Sequence, residues 1–194
     1  TVVHIDALES LGNRIVRALS SLHQVEPLRR SFDPGQVLRS LHALDTIERF
    51  CDEYQINVAL HNHDQKASPQ YWNPEGILQV CQGRSRRIGA CGDLGYWMRA
   101  GIDPIQAAGL LKERLLTVQM HDLHERSPEG HDVPWGTGAG QTELFLKELR
   151  RLGIQPTMFG LEYSYNWFES MPQIAECIQF FNGVSQELAT RGEP

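Results

Sequence analysis

The sequence predicts an α/β fold with a parallel sheet, of the (β/α) barrel kind and present as part of a barrel. Three observations carry that prediction. Apolar runs of strand length alternate with amphipathic stretches of helix length, the pattern of βαβ units. Four of those runs end in residues that bind metals, spaced by about one strand-plus-helix unit. The 194 residues fall short of the roughly 250 that a complete eight-stranded barrel takes.

Taken in order, Thr1-Val2-Val3-His4-Ile5 reads as a first strand, and residues 7–22 as a helix with Leu8, Leu11, Ile15, Ala18, Leu19 and Leu22 on one face. Asp33-Pro34 opens the next helix, an N-cap side chain followed by a proline suited to the first turn. Behind it Val37, Leu38, Leu41, Leu44, Ile47, Phe50, Cys51 and Tyr54 recur at helical spacing. A strand follows near 56–62. Asn73-Pro74 opens a helix before a strand near 87–92, and Asp103-Pro104 opens another before a strand near 115–120. Thr142 to Leu152 is helical, with Gly153 as its stop, and precedes a strand near 157–162. Met171 to Ala189 forms the last helix. From residue 34 the order is αβαβαβαβα in one domain covering 1–194, without a linker or low-complexity segment. A half-barrel leaves sheet edges unpaired, which predicts a partner or a homo-oligomer.

The strand ends carry the chemistry. Val58-Ala59-Leu60 runs into His61-Asn62-His63, Ile88-Gly89-Ala90-Cys91 into Gly92-Asp93, Leu115-Leu116-Thr117-Val118 into Gln119-Met120-His121-Asp122, and Met158-Phe159-Gly160-Leu161 into Glu162. In a parallel barrel the C-terminal strand ends surround one cavity. Period-two alternation puts Ala59, His61 and His63 on one face, and likewise Gly89, Cys91 and Asp93, then Thr117, Gln119 and His121, then Gly160, Glu162 and Ser164. The small residues Ala59, Gly89 and Gly160 predict a floor with room for a metal and a small substrate. Mixed imidazole and carboxylate donors suit Mn²⁺, Co²⁺ or Zn²⁺.

Composition narrows the partners. A net charge of -6 excludes general attraction to nucleic acid or an anionic membrane, and Arg84-Ser85-Arg86-Arg87 reads as a solvated loop. No apolar run nears the ~20 residues of a membrane span. Cys51, Cys81, Cys91 and Cys177 form no Cys-x-x-Cys pair and read as buried free thiols, the usage favoured in the cytoplasm. The N-terminus has neither a starting Met nor a signal-peptide pattern.

Five stretches in order resemble the xylose-isomerase-like barrel family of sugar phosphate isomerases and epimerases: Asn57-Val58-Ala59-Leu60-His61-Asn62-His63, Ile88 to Gly95, Trp97-Met98-Arg99-Ala100-Gly101-Ile102-Asp103-Pro104, His131 to Gly138, and Leu161-Glu162-Tyr163. The resemblance runs from about residue 55 to 182. It is nearest to a His-Asn-His subgroup with Trp72-Asn73-Pro74, whose members act on keto-sugars or glycosides. The resemblance implies a TIM-type barrel, with its early strands missing here, and one divalent metal, Mn²⁺ first and Co²⁺, Mg²⁺ or Zn²⁺ as alternatives. It implies His61, Asp93, Gln119 and Glu162 as ligands. Gln119 stands where the family has His, and His121 where it has Lys, so either supplies the third ligand. Tyr96 stands at a substrate-contacting His position, and Ser164 replaces an acidic residue.

The activity implied is isomerisation or epimerisation of a sugar by proton transfer through a metal-stabilised enediolate, with Glu162, His63 and His121 as proton carriers and Tyr96, Trp97 and Trp135 against the substrate. A non-catalytic or lyase-type relative acting on keto-glycosides is the alternative that Gln119, Tyr96 and Ser164 favour. A nuclease like the apurinic-site endonucleases is more distant, for want of a basic face. The Gly-rich segment 130–140 reads as a loop that closes over substrate or binds phosphate at a helix N-terminus, or as a structured turn.

Overall fold

The computed structural model describes residues 2–5, 34–66 and 71–190, with side chains from residue 43 onward. Its elements are β1 (Val2–Ile5), α1 (Pro34–Tyr54), β2 (Asn57–His61), α2 (Pro74–Cys81), β3 (Ile88–Asp93), α3 (Leu94–Arg99), α4 (Pro104–Leu110), β4 (Leu115–Met120), α5 (Thr142–Leu152), β5 (Met158–Leu161) and α6 (Met171–Thr190). All five strands are parallel and neighbour one another in chain order. That order never reverses, so the sheet is a barrel segment and not a doubly wound sheet. The helix expected over 7–22 lies outside the described residues.

Local chemistry explains the helix starts. Asn73 Oδ1 accepts from the Gly76 amide at 2.8 Å, and Asp103 Oδ1 from the Ile105 and Gln106 amides at 2.8 and 3.1 Å. Each satisfies donors that the first turn leaves over. Gly153 closes α5 in the left-handed region at φ 69°. One helix is additional to the sequence reading: β3 runs into α3 with no loop between, because Asp93 is both the strand's last residue and the helix's N-cap.

Val58, Leu60, Ile88, Ala90, Val118 and Met120 face the helix layer and are buried with Ile77, Leu94, Trp97, Met98, Leu111, Phe145 and Leu149. On α1, Leu44 and Cys51 are buried as the spacing predicts. Phe50 and Tyr54 instead stand exposed, stacked on each other at 6.0 Å. The basic cluster is tied down: Arg84 Nη1 reaches Asp45 at 2.7 Å and Glu48 at 3.0 Å on α1, and Arg86 pairs with Glu113. The four cysteines are free and buried. Among the described residues no helix is long and apolar enough to cross a membrane.

Register sets the level of each inward residue. His61 pairs with Cys91, Cys91 with Thr117, Asp93 with Gln119 and Gln119 with Gly160. An irregularity at Ala90/Cys91 skips Leu116 and brings Gln119 level with Asp93, as bulges near functional sites re-aim a strand. The expected floor of small residues does not leave open space at two of its three positions. A Cβ at Gly89 would overlap the Arg114 carbonyl first and then the Leu116 side chain, and one at Gly160 would overlap the Gln119 carboxamide. These glycines make room for neighbouring groups.

Candidate metal centre

Asp93 is the hub. Its carboxylate is fully buried at the junction of β3 and α3, with Oδ1 accepting from the Tyr96 amide at 2.8 Å. One oxygen therefore caps α3 and leaves the other free to face the imidazoles. Oδ2 lies 3.1 Å from His61 Nε2 and 3.4 Å from His121 Nε2. The Asp93 backbone is fixed from β2: the buried Asn62 accepts from its N–H at 2.7 Å and donates to its carbonyl at 3.0 Å.

His121 follows β4 and is buried. Its Nδ1 lies 2.7 Å from Asp132 Oδ1, and the other Asp132 oxygen accepts from the Ser164 amide at 2.9 Å and its hydroxyl at 2.7 Å. Because a carboxylate only accepts, Nδ1 carries the proton and Nε2 faces inward. There Nε2 makes no hydrogen bond, standing 3.4 Å from Asp93 and 3.8 Å from Glu162 Oε2. Asp93, His121 and Glu162 each offer a ligand atom within 4.8 Å of the others, a group that could hold a metal ion. Glu162, just past β5, is the open member, with its side chain 43% exposed. Gln119 donates from Nε2 to Glu162 Oε2 at 3.2 Å.

The charges respond to this packing. Burial alone would raise the Asp93 carboxyl, but His121 and then His61 outweigh it and hold it well below the usual carboxylate range. Burial would lower His121, yet Asp93, Asp132 and Glu162 push it well above the ordinary imidazole value. Burial likewise opposes ionisation of Asp132, which His121 and Ser164 bring down to about 2. Glu162 is lowered, by its contact with His121 first. A proton on Nε2 and a cation would occupy the same position, so the two compete.

The donor set fits a cation. Ligand atoms at about 2.1 Å around a tetrahedral ion stand roughly 3.4 Å apart, and the contacts His61–Asp93, His121–Asp93 and His121–Glu162 measure 3.1, 3.4 and 3.8 Å. The carboxylate–imidazole pair Asp132–His121 is the support that metal-bound His residues receive.

The remaining predicted residues divide. His63 stands at the rim, Nδ1 2.8 Å from Asp64 Oδ2, with its ring 3.9 Å from Tyr96. Tyr96 also approaches His61 at 6.1 Å, and burial, then Asp93 and Glu162, raise its phenol to about 12. The two indoles expected against a substrate are instead taken up by packing. Trp97 is fully buried, its ring where a Cβ on Gly92 would stand, and Trp135 is buried in T-shaped contact with Phe181. Each follows its strand, but its side chain turns to the helix layer. Sequence reasoning missed Asn62, Asp132 and Ser164 as supports; the one available signal for Asp132 was its place in the quoted His131–Gly138 stretch.

The Gly-rich loop is a structured turn. The buried Asp122 carboxylate accepts from the amides of Gly136, Gly138 and Gly140 at 2.9, 3.1 and 2.8 Å. The N–H groups expected to cradle a phosphate already hold an anion of the protein's own.

Residues 2–183 match the family described as xylose isomerase-like TIM barrel. No curated protein matches the chain in sequence. Among solved structures, it is similar to a D-tagatose 3-epimerase-like protein at 16% identity and TM-score 0.64, covering 99% of this chain and 64% of that one. A xylose isomerase domain protein from Planctomyces limnophilus aligns at 15% identity and TM-score 0.66, over 86% of this chain and 60% of that one. The IOLI protein with a binding zinc atom aligns at 12% identity and TM-score 0.66, over 96% and 76%. The chain thus spans less than two thirds of the first two structures, and at these identities the likeness is one of fold. Matched by the family over nearly its whole length, the chain belongs to the xylose isomerase-like TIM barrels.

Proposed function

We propose that this chain carries the metal centre of a divalent-metal-dependent sugar isomerase or epimerase, with His61, Asp93, His121 and Glu162 as the ligands. One observation carries the reading: a buried imidazole whose Nδ1 is committed to Asp132 aims an unpartnered Nε2 between two carboxylates. Two imidazoles and two carboxylates suit Mn²⁺, Co²⁺ or Zn²⁺ better than Mg²⁺, which prefers oxygen donors. The zinc held by the similarly folded IOLI protein agrees with that choice. When bound, such an ion polarises a sugar carbonyl and acidifies the adjacent C–H.

The protein's own groups would do the rest. Glu162 alone among the four is half open, and its ionised carboxylate is the base facing a substrate. His63, with Nδ1 held by Asp64, presents Nε2 as a second proton carrier at the rim. Tyr96, kept protonated, donates a hydrogen bond to a substrate oxygen. A small-molecule sugar is the partner. The test is metal content followed by chemistry. The purified chain, offered Mn²⁺, Co²⁺ or Zn²⁺, retains about one equivalent and then exchanges the proton beside the carbonyl of candidate keto-sugars in D₂O. Retention below about a tenth of an equivalent refutes the reading.

A further inference from the structure

We infer that Gln119 is a positioning residue for Glu162 and not a cation ligand; the inference rests on the cation centre proposed above. Gln119 stands level with Asp93 and Gly160 in the sheet, where a ligand from β4 would be sought. Its carboxamide is bonded at one end and packed at the other. Nε2 donates to Glu162 Oε2 at 3.2 Å, and the acceptor-only carboxylate fixes which amide atom faces it. Oε1 lies over Gly160, in the space a Cβ would fill. The donor that β4 sends into the centre comes from two residues further on, His121 Nε2.

Glu162 is the member that needs holding. Asp93 is gripped through its cap and Asn62, and His121 through Asp132. Glu162 sits past the four-residue β5 with a half-exposed side chain. A glutamate free to rotate loses side-chain entropy on engaging a cation, and the Gln119 hydrogen bond removes part of that loss beforehand. Gly160 is then a specific requirement: it is the seat of the carboxamide.

The experiment uses the full chain with Co²⁺, read by calorimetric titration and by the visible spectrum of the Co²⁺-saturated protein. Gln119→Ala and Gly160→Ala each weaken Co²⁺ binding about tenfold, the lower end for loss of a supporting group. Both leave the saturated Co²⁺ bands unchanged in position and intensity. The double variant is no weaker than either single one, because both remove the same contact. His121→Ala shifts the bands. The inference is overturned if Gln119→Ala shifts the bands and His121→Ala does not. A lower melting temperature for Gln119→Ala with unaltered Co²⁺ affinity overturns it too, since that is a purely structural role. A wild-type chain that takes up no Co²⁺ defeats the cation centre itself, a separable result.

Discussion

Asp132→Asn tests whether His121 is held for a cation. The two side chains are nearly isosteric, so packing is kept while the carboxylate is lost. In the native protein Asp132 meets His121 Nδ1 at 2.7 Å with one oxygen and two Ser164 donors with the other. An amide has one accepting atom, so either His121 or Ser164 must face an N–H₂ group. If His121 loses its acceptor, its tautomer is no longer fixed and Nε2 is no longer dedicated to the centre. Loss of such a support costs about 10–100-fold in metal affinity, or about 1.4–2.7 kcal/mol at 1.36 kcal/mol per decade. Calorimetric titration with Co²⁺ or Zn²⁺ measures it directly. Thermal melts of the metal-free variant separate the effect from unfolding. Affinity within about twofold of wild type, well under the 10–100-fold expected, refutes the idea that Asp132 prepares His121 for a metal.

Three other outcomes follow from the same contacts. His121 has a folded-state pKa well above 6.5, so its contribution to metal-free stability is complete below an unfolded value near 6.5 and fades as pH rises through the folded value; melting temperature against pH should fall on the alkaline side, while metal affinity rises over the same window. Asp122→Ala removes the acceptor of three glycine amides; hydrogen exchange at Gly136, Gly138 and Gly140 should accelerate, and unchanged protection would refute the internal-anion account of the loop. Trp97→Ala opens a large core cavity, costing about 3–5 kcal/mol, or roughly 10 °C at 2–4 °C per kcal/mol; the conservative Trp97→Phe should lower the melting temperature yet leave the apparent KM for a sugar unchanged, where a substrate contact would raise it.

Strand parity accounts for much that was legible beforehand. It places His61, Asp93, His121 and Glu162 on the inner faces of adjacent strands, and the structure groups Asp93, His121 and Glu162, with His61 against Asp93. Helix starts were legible where an Asx–Pro pair gave a local, self-contained cap, as at Asn73 and Asp103. Parity says which way a side chain leaves a strand but not what reaches over from the next one, so Gly89 and Gly160 looked like open floor when the Arg114 carbonyl, Leu116 and Gln119 fill them. Loop residues have no period at all. Asp132 returns to His121 only because a turn folds back, and nothing over a separation of 11 residues encodes that contact as a pattern. Trp97 and Trp135 failed for a related reason: position after a strand does not decide between the cavity and the helix layer.

The end of β4 also has an evolutionary consequence. His121 and Asp122 are consecutive and point opposite ways, one joined to Asp132 and the other to the amides of residues 136–140. Leu123 bridges antiparallel to Asp132, and His124 bonds back to His131. Between those rungs Arg126 folds inward onto Ala139 and Asp103 and Gly130 is buried, while Pro128 and Glu129 are exposed at the tip. Insertions at 127–129 would lengthen the tip without loosening either grip, whereas a single residue added between Asp132 and Gly136 would unseat both. New surfaces can therefore be tried out at the tip while the centre's geometry stays fixed, leaving recognition free to diversify around unaltered chemistry.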